Sequence, residues 1–311
     1  MLCANPLAFK RREKMKGLLV VNSFLKNAKF GQLYDFLSAA FTEQNVLLEV
    51  RSSDELFLPV GKKLNREWDF VLFWDKDLRL AKAFEESGMR VFNSSRAIEL
   101  CDDKALTAEC LQRSGLAIPK TLIAPKTYAN IGYSNSRFLL RAEEFLSYPM
   151  VLKQRFGSFG AQVYLAENRK QAEEILERCA GNEILLQEFI AESSGRDLRI
   201  NVVGNEVKGV MLRYNNSDFR SNITNGGKME IYFPDRSYLF AAVAAARAVG
   251  ADFAGVDVLF GKEGPVICEV NASPHFKSTL EATGVNLAKE LSSYVLSEIQ
   301  KKPGNGLCTD G

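Results

Sequence analysis

Short apolar runs alternate with longer amphipathic stretches through the first hundred residues. Gly17–Asn22, Val46–Val50, Phe70–Trp74 and Arg90–Asn93 predict strands, because compact β-branched and aromatic runs suit a buried pleat. Between them, Gln32–Thr42 and Leu78–Ser87 place apolar residues at helical spacing, the second ending near Gly88. This alternation predicts a parallel α/β unit over roughly residues 17–95. Ser94–Ser114 predicts one or two further helices, and Gly115–Pro119 a linker.

The pattern then changes. Tyr148–Lys153 and Ala161–Ala166 predict a strand pair joined by the loop Arg155-Phe-Gly-Ser-Phe-Gly160, followed by a helix over Arg169–Cys179 and a strand over Glu183–Ile190, which together make a small α+β lobe. Two more hairpins follow: Asp197–Val203 with Glu206–Arg213, turned at Gly204-Asn205, and Phe253–Phe260 with Pro265–Val270, turned at Gly261-Lys-Glu-Gly264. Helices are expected over Ser237–Val249 and about Asn286–Gln300. The expected divisions are a flexible tail at 1–16, an α/β domain at 17–114, a small lobe at 115–186, a second lobe at 187–300 and a flexible tail at 301–311.

Composition narrows the class. Lys and Arg number 40 against 38 Asp and Glu in 311 residues, a net charge of +2, too balanced for a dedicated nucleic-acid binder. The six cysteines contain no C-x-x-C pair and there is one histidine, so the usual zinc clusters are excluded and reduced thiols in a cytoplasmic protein are expected. Lys10, Arg11, Arg12, Lys14 and Lys16 follow a short apolar stretch, the reverse of a secretion signal, and no run reaches the roughly 18 apolar residues of a membrane span.

Three segments carry candidate chemistry. Residues two apart on a strand share a face about 6–7 Å apart, so Glu269 and Asn271 project together. A hairpin centred on Glu263 sets Asp257 opposite Glu269, with Cα atoms about 4.5–5.5 Å apart. Two facing carboxylates and an amide oxygen suit a hard cation such as Mg²⁺; the alternative is that one carboxylate points to solvent. Lys153, ending an apolar strand before Gly157-Ser-Phe-Gly160, can aim its ammonium and loop N–H groups at phosphate, or the loop is an ordinary hairpin turn. Arg220, Ser221 and Asn222 before Gly226-Gly227 offer a cationic fork and polar contacts, or form a plain surface loop. Arg199 and Arg213, on the preceding strands, add charge on one face or are solvated.

The order of these pieces resembles the RimK-like branch of the ATP-grasp superfamily across about residues 17–300. The matching pieces are Asp103-Lys104, Pro149-Met-Val-Leu-Lys153, Gln187-Glu-Phe-Ile190, Gly195-Arg-Asp197-Leu-Arg199, Phe219-Arg-Ser-Asn222 with Gly226-Gly227, Asp257, and Glu269-Val-Asn-Ala-Ser-Pro274. The resemblance implies an α/β pre-ATP-grasp domain and two α+β lobes enclosing ATP. Lys104 and Lys153 would bind phosphates, Gln187, Glu188 and Ile190 would belong to the adenine hinge, and Asp197 would lie near the nucleotide, at the ribose. Arg220, Ser221 and Asn222 would line the reacting end, and Asp257, Glu269 and Asn271 would hold Mg²⁺ or Mn²⁺. The implied reaction joins a carboxylate substrate to an amine substrate at the expense of ATP through an acyl phosphate, releasing ADP and phosphate, and an oligomer is implied too. An ATP-binding sensor or partner-binding module on this scaffold is the alternative. The sequence departs from the pattern at His275-Phe276-Lys277, where glutamate-adding relatives commonly carry glycine and leucine, so His275 and Lys277 are candidates for substrate selection. Trp68 and Trp74 are expected to pack in the core, and Cys101 and Cys268 to be unreactive.

Overall fold

β1 (Lys16–Val21), β2 (Leu47–Ser52), β3 (Phe70–Trp74) and β4 (Arg90–Phe92) form a parallel sheet in the order β2-β1-β3-β4. Its strands read as unbroken apolar runs because both faces are covered: Leu18, Val20 and Phe73 enter one core, Leu19, Phe70 and Leu72 another. From adjacent β1 and β3 the chain departs in opposite directions, to α1 (Ala28–Glu43) and α2 (Leu78–Glu86). Their carboxyl ends therefore open a crevice, the place where open α/β sheets bind ligands. The structure, a computed structural model, describes residues 14–25, 28–158, 160–222 and 226–301. The tails expected at 1–16 and 301–311 lie outside the described residues, apart from 14–16 and Lys301; Lys16 opens β1.

The stretch 94–114 is two helices, α3 (Ser95–Asp102) and α4 (Lys104–Arg113), because Asp103 stays extended and caps the second. Its Oδ1 accepts from the N–H groups of Ala105 and Leu106 at 3.0 and 3.2 Å. The small lobe is a sheet in the order β5-β8-β6-β7, built from β5 (Thr121–Ile123), β6 (Met150–Gln154), β7 (Val163–Ala166) and β8 (Ile184–Glu188). α5 (Phe138–Leu146) and α6 (Arg169–Arg178) share its core through Leu139, Ala142, Ile175 and Leu176.

The third sheet has the order β11-β10-β9-β12-β13, from β9 (Arg196–Val203), β10 (Glu206–Tyr214), β11 (Lys228–Ile231), β12 (Phe253–Gly261) and β13 (Gly264–Asn271). α7 (Arg236–Ala248) lays Ala242, Ala245 and Ala246 against one core, while α9 (Leu287–Gln300) packs in the other core with α1. Fully buried Asn93, just past β4, joins the first sheet to the third. Its Nδ2 donates to the carbonyls of Phe253 and Ala272 at 2.9 and 2.7 Å, and its Oδ1 accepts from the N–H groups of Asp252 and Phe253 at 2.6 and 3.2 Å.

Two strands and two α-helices escaped the periodicity reading. β5 has three residues, β11 is an edge strand with little burial, α5 starts without a side-chain cap, and α8 (Lys277–Thr283) has seven residues. Each is too short or too weakly patterned to stand out.

Candidate functional site

Asp257 and Glu269 are paired across β12 and β13, as the hairpin arithmetic predicts, and Gly255 pairs with Asn271. The route to that register is different. The two-residue turn pairs Gly261 with Gly264 and Val258 with Ile267, and a bulge at Cys268 adds the residue that brings Glu269 opposite Asp257. Consequently Cys268 and Glu269 both line the crevice between the lobes, while Ile267 and Val270 remain in the core.

The two carboxylates differ sharply. Asp257 is buried, and both its oxygens are held by arginines: Arg199 through Nε at 2.5 Å and Nη2 at 3.1 Å, and Arg213 through Nη2 at 3.0 Å. Burial alone would raise its pKa, but the two guanidiniums outweigh that and hold the carboxyl below its ordinary range. Arg213 also grips Asp197 with two bonds of 2.7 and 2.6 Å. Thus Asp197, expected at the ribose, lines the crevice with its carboxylate engaged by Arg213. Glu269, by contrast, has no hydrogen bond or ion pair among the described residues, and Asn271 donates its Nδ2 to the Gly255 carbonyl at 3.2 Å, which leaves its Oδ1 to accept. This donor set of two carboxylates and an amide fits a hard cation, with Glu269 and Asn271 free and Asp257 shared with the arginines. Among the described residues no group of three or more His, Cys, Asp and Glu is arranged for a metal.

Cations surround the glycine loop between β6 and β7. Lys104 Nζ donates to the Gly157 carbonyl at 2.8 Å, and Lys153 Nζ lies 3.5 Å from Cys268 Sγ, both in the crevice wall. Arg220 lines the same crevice, where Asp218 holds it at 3.0 and 2.7 Å and its Nη1 donates to the Gly160 and Val163 carbonyls at 2.9 and 3.3 Å. It fastens the third sheet to the small lobe. Arg199 and Arg213 are the guanidiniums beside Asp257. Ser221 and Asn222 line the crevice beside Arg220.

Gln187, Glu188, Phe189 and Ile190 form the crevice edge with Val151, Val163 and Leu259, an apolar slot at the point where β8 ends. Gln187 donates to Thr121 Oγ1 at 2.9 Å, so its side chain braces β5.

A second cavity, with a volume of about 440 Å³, opens at the crevice between β1 and β3. It shares Gly157, Ser158, Arg213, Asn222, Asp257 and Glu269 with the first, and Asn271 lies in its wall. Asn22 and Asp75, from the ends of β1 and β3, meet there at 2.9 Å. Asp75 Oδ2 and Trp74 Nε1, residues of the same wall, are buried without a partner among the described residues. Trp74 also stacks on Phe253 with centroids 5.2 Å apart, and Trp68 is buried, as expected of core residues. His275 lines this cavity, edge-on to Phe30 at 5.9 Å; burial, helped by the Lys29 charge, lowers its pKa to about 4. Lys277 is absent from the cavity lining and engages Gln32 at 2.7 Å and Glu281 at 3.4 Å. Burial raises the pKa of both the Cys101 and Cys268 thiols, as inert cysteines require.

Arg155, Lys76, Asn22 and Asp75 also stand at the site, with no motif of their own to mark them. Arg155 holds Asp103 through Nε at 2.8 Å and also binds Glu183, clamping the glycine loop to the start of α4. Asn22, Asp75 and Lys76 were findable from topology, since they follow the two strands at which the connections diverge.

Comparison with known proteins bears on the family and the fold. Residues 101–295 match the RimK-like ATP-grasp domain family. A probable alpha-L-glutamate ligase from Enterobacter sp. (strain 638) is 36% identical over 233 residues, 74% of each chain. Among solved structures, a RimK domain ATP-grasp protein from Sphaerobacter thermophilus has a TM-score of 0.71 at 20% identity, covering 90% of this chain and 98% of that one. D-alanine–D-alanine ligase from Bacillus anthracis complexed with ATP has a TM-score of 0.65 at 14% identity, covering 91% and 98%. At those identities the structural likeness speaks for the fold.

Proposed function

Because this chain belongs to the RimK-like ATP-grasp family and is an ATP-dependent, ADP-forming carbon–nitrogen ligase, we propose that its two cavities are the nucleotide crevice and the chamber where acid and amine meet. The observation that carries this reading is the shared wall: Asp257, Glu269, Arg213 and Asn222 face both spaces. A γ-phosphoryl group at that wall stands within reach of an acid in the chamber.

In this reading adenine enters the apolar slot at Glu188–Ile190, and Lys104 and Lys153 neutralise phosphate oxygens. Glu269 and Asn271, with Asp257, would hold Mg²⁺ or Mn²⁺, which supplies charge neutralisation at the transferring phosphoryl group. A carboxylate is a weak nucleophile repelled by the triphosphate, so the residues' task is electrostatic. The substrate carboxylate oxygen bonds to the γ-phosphorus as ADP leaves. The amine nitrogen then attacks the acyl carbon, phosphate departs, and the nitrogen loses its proton. Arg199 and Arg213 stand at the reacting end, whereas Arg220 acts through the glycine loop, and Ser221 and Asn222 line the passage. No protein nucleophile is needed.

The relative named as a probable alpha-L-glutamate ligase makes L-glutamate the first amine to test. A reducing compartment such as the cytoplasm suits Cys101, Cys110, Cys179 and Cys268, all free thiols. No helix of the described residues is long and apolar enough to cross a membrane. The test is incubation of the protein with Mg·ATP, L-glutamate and pools of amino acids, peptides and dicarboxylates. ADP with a product heavier than its acid by the amine less water supports the reading; ATP binding without ADP from any pool contradicts it.

A further inference from the structure

Lys76 occupies an unusual position for a residue with no motif around it. It lies two residues past the end of β3, and its N–H donates to Asp75 Oδ1 at 2.6 Å, the same oxygen that accepts from Asn22. Its backbone is thereby pinned at the crevice between β1 and β3. Its ammonium reaches away, to Asp102 at the end of α3 and to Ser158 Oγ in the glycine loop at 3.1 Å. One side chain so connects the first domain, α3 and the small lobe. Lys104 and Arg220 hold the same loop by the Gly157 and Gly160 carbonyls from the nucleotide side. Lys76 holds it from the substrate side, where it lines the second cavity with Gly157, Ser158 and Asp102.

Stability does not account for this contact. The Lys76 side chain is 51% exposed, and an ion pair that open to water adds little to folding. Its value lies in where the loop is held. An acyl phosphate has two fates: attack by the amine nitrogen gives amide and phosphate with loss of a proton, and attack by water returns the acid and phosphate. The second consumes ATP for nothing, so the loop must close the chamber while the intermediate exists.

We propose that Lys76 is a positioning residue that latches the glycine loop over the substrate cavity through Ser158 and keeps water from the activated acid. This rests on the ligase reading. The experiment measures amide formed per ADP released, with the substrate pair found for the wild-type protein, in K76M, K76R and S158A. Wild type is expected to give close to one amide per ADP. K76M should lower that ratio about fivefold or more with the KM for ATP and the melting temperature unchanged, S158A should lower the ratio as well, and K76R should keep it near the wild-type value. A K76M protein that keeps the wild-type ratio, whatever its rate, overturns the latch alone. A wild-type protein that releases no ADP with any pair overturns the ligase reading and the latch with it.

Discussion

At the scale of single residues, Asp257 and Glu269 face each other across a hairpin and yet are predicted to behave differently. Asp257 compensates two guanidiniums, so D257N strands positive charge in the interior and should cost about 3 kcal/mol of stability as well as activity. Glu269 has no protein partner among the described residues, so E269Q should lower ATP turnover about a hundredfold or more with little change in melting temperature. Equal melting shifts for the two variants would contradict this division. His275 supplies a pH signature. Its pKa of about 4 lies below the ordinary 6.5, so between those values the unfolded chain takes up a proton that the folded one refuses. Its contribution is complete above about pH 6.5 and is lost as pH falls toward 4. Denaturation curves across that window should be flatter for H275Q than for wild type; parallel curves would rule the effect out. Asp257, Glu269, Lys104 and Lys153 stood out because each sits in a motif, whereas the pairing of Arg199 and Arg213 with the carboxylates did not. Arg213 pairs with Asp197 across the β9–β10 hairpin, whereas Arg199 pairs with Asp257 across β9 and β12, which neighbour only in the sheet.

At the scale of elements, most strands and helices were legible from periodicity, and the failures were elements without room for a period. The register of β12 and β13 was right for Asp257 and Glu269 because a bulge at Cys268 compensates for the tighter turn, which no spacing rule reveals. Asn93 is the clearest case of an element's end acting beyond its own sheet. N93A would leave four buried backbone groups of Asp252, Phe253 and Ala272 without their partner, for a loss of about 3 kcal/mol or more. Thermal melting checks this, and a loss below about 1 kcal/mol would mean that water replaces the side chain.

At the scale of the whole molecule, three sheets meet at one place because each contributes an end or an edge to it. The first brings Asn22, Asp75 and Lys76, the second Lys153 and the glycine loop, and the third Asp257, Glu269 and Asn271. Sequence order and motif spacing carried the second and third contributions. The first was hidden, since contacts such as Lys76 to Ser158 span 82 positions and follow no local pattern. The central claim is that the acid itself, rather than water, takes the γ-phosphoryl group across the wall shared by the two cavities. Its most direct test uses the acid identified by the condensation assay, with both carboxylate oxygens carrying a heavy isotope. One labelled oxygen is predicted to appear in the released phosphate for each amide formed; phosphate free of label, with ADP still produced, would contradict the account.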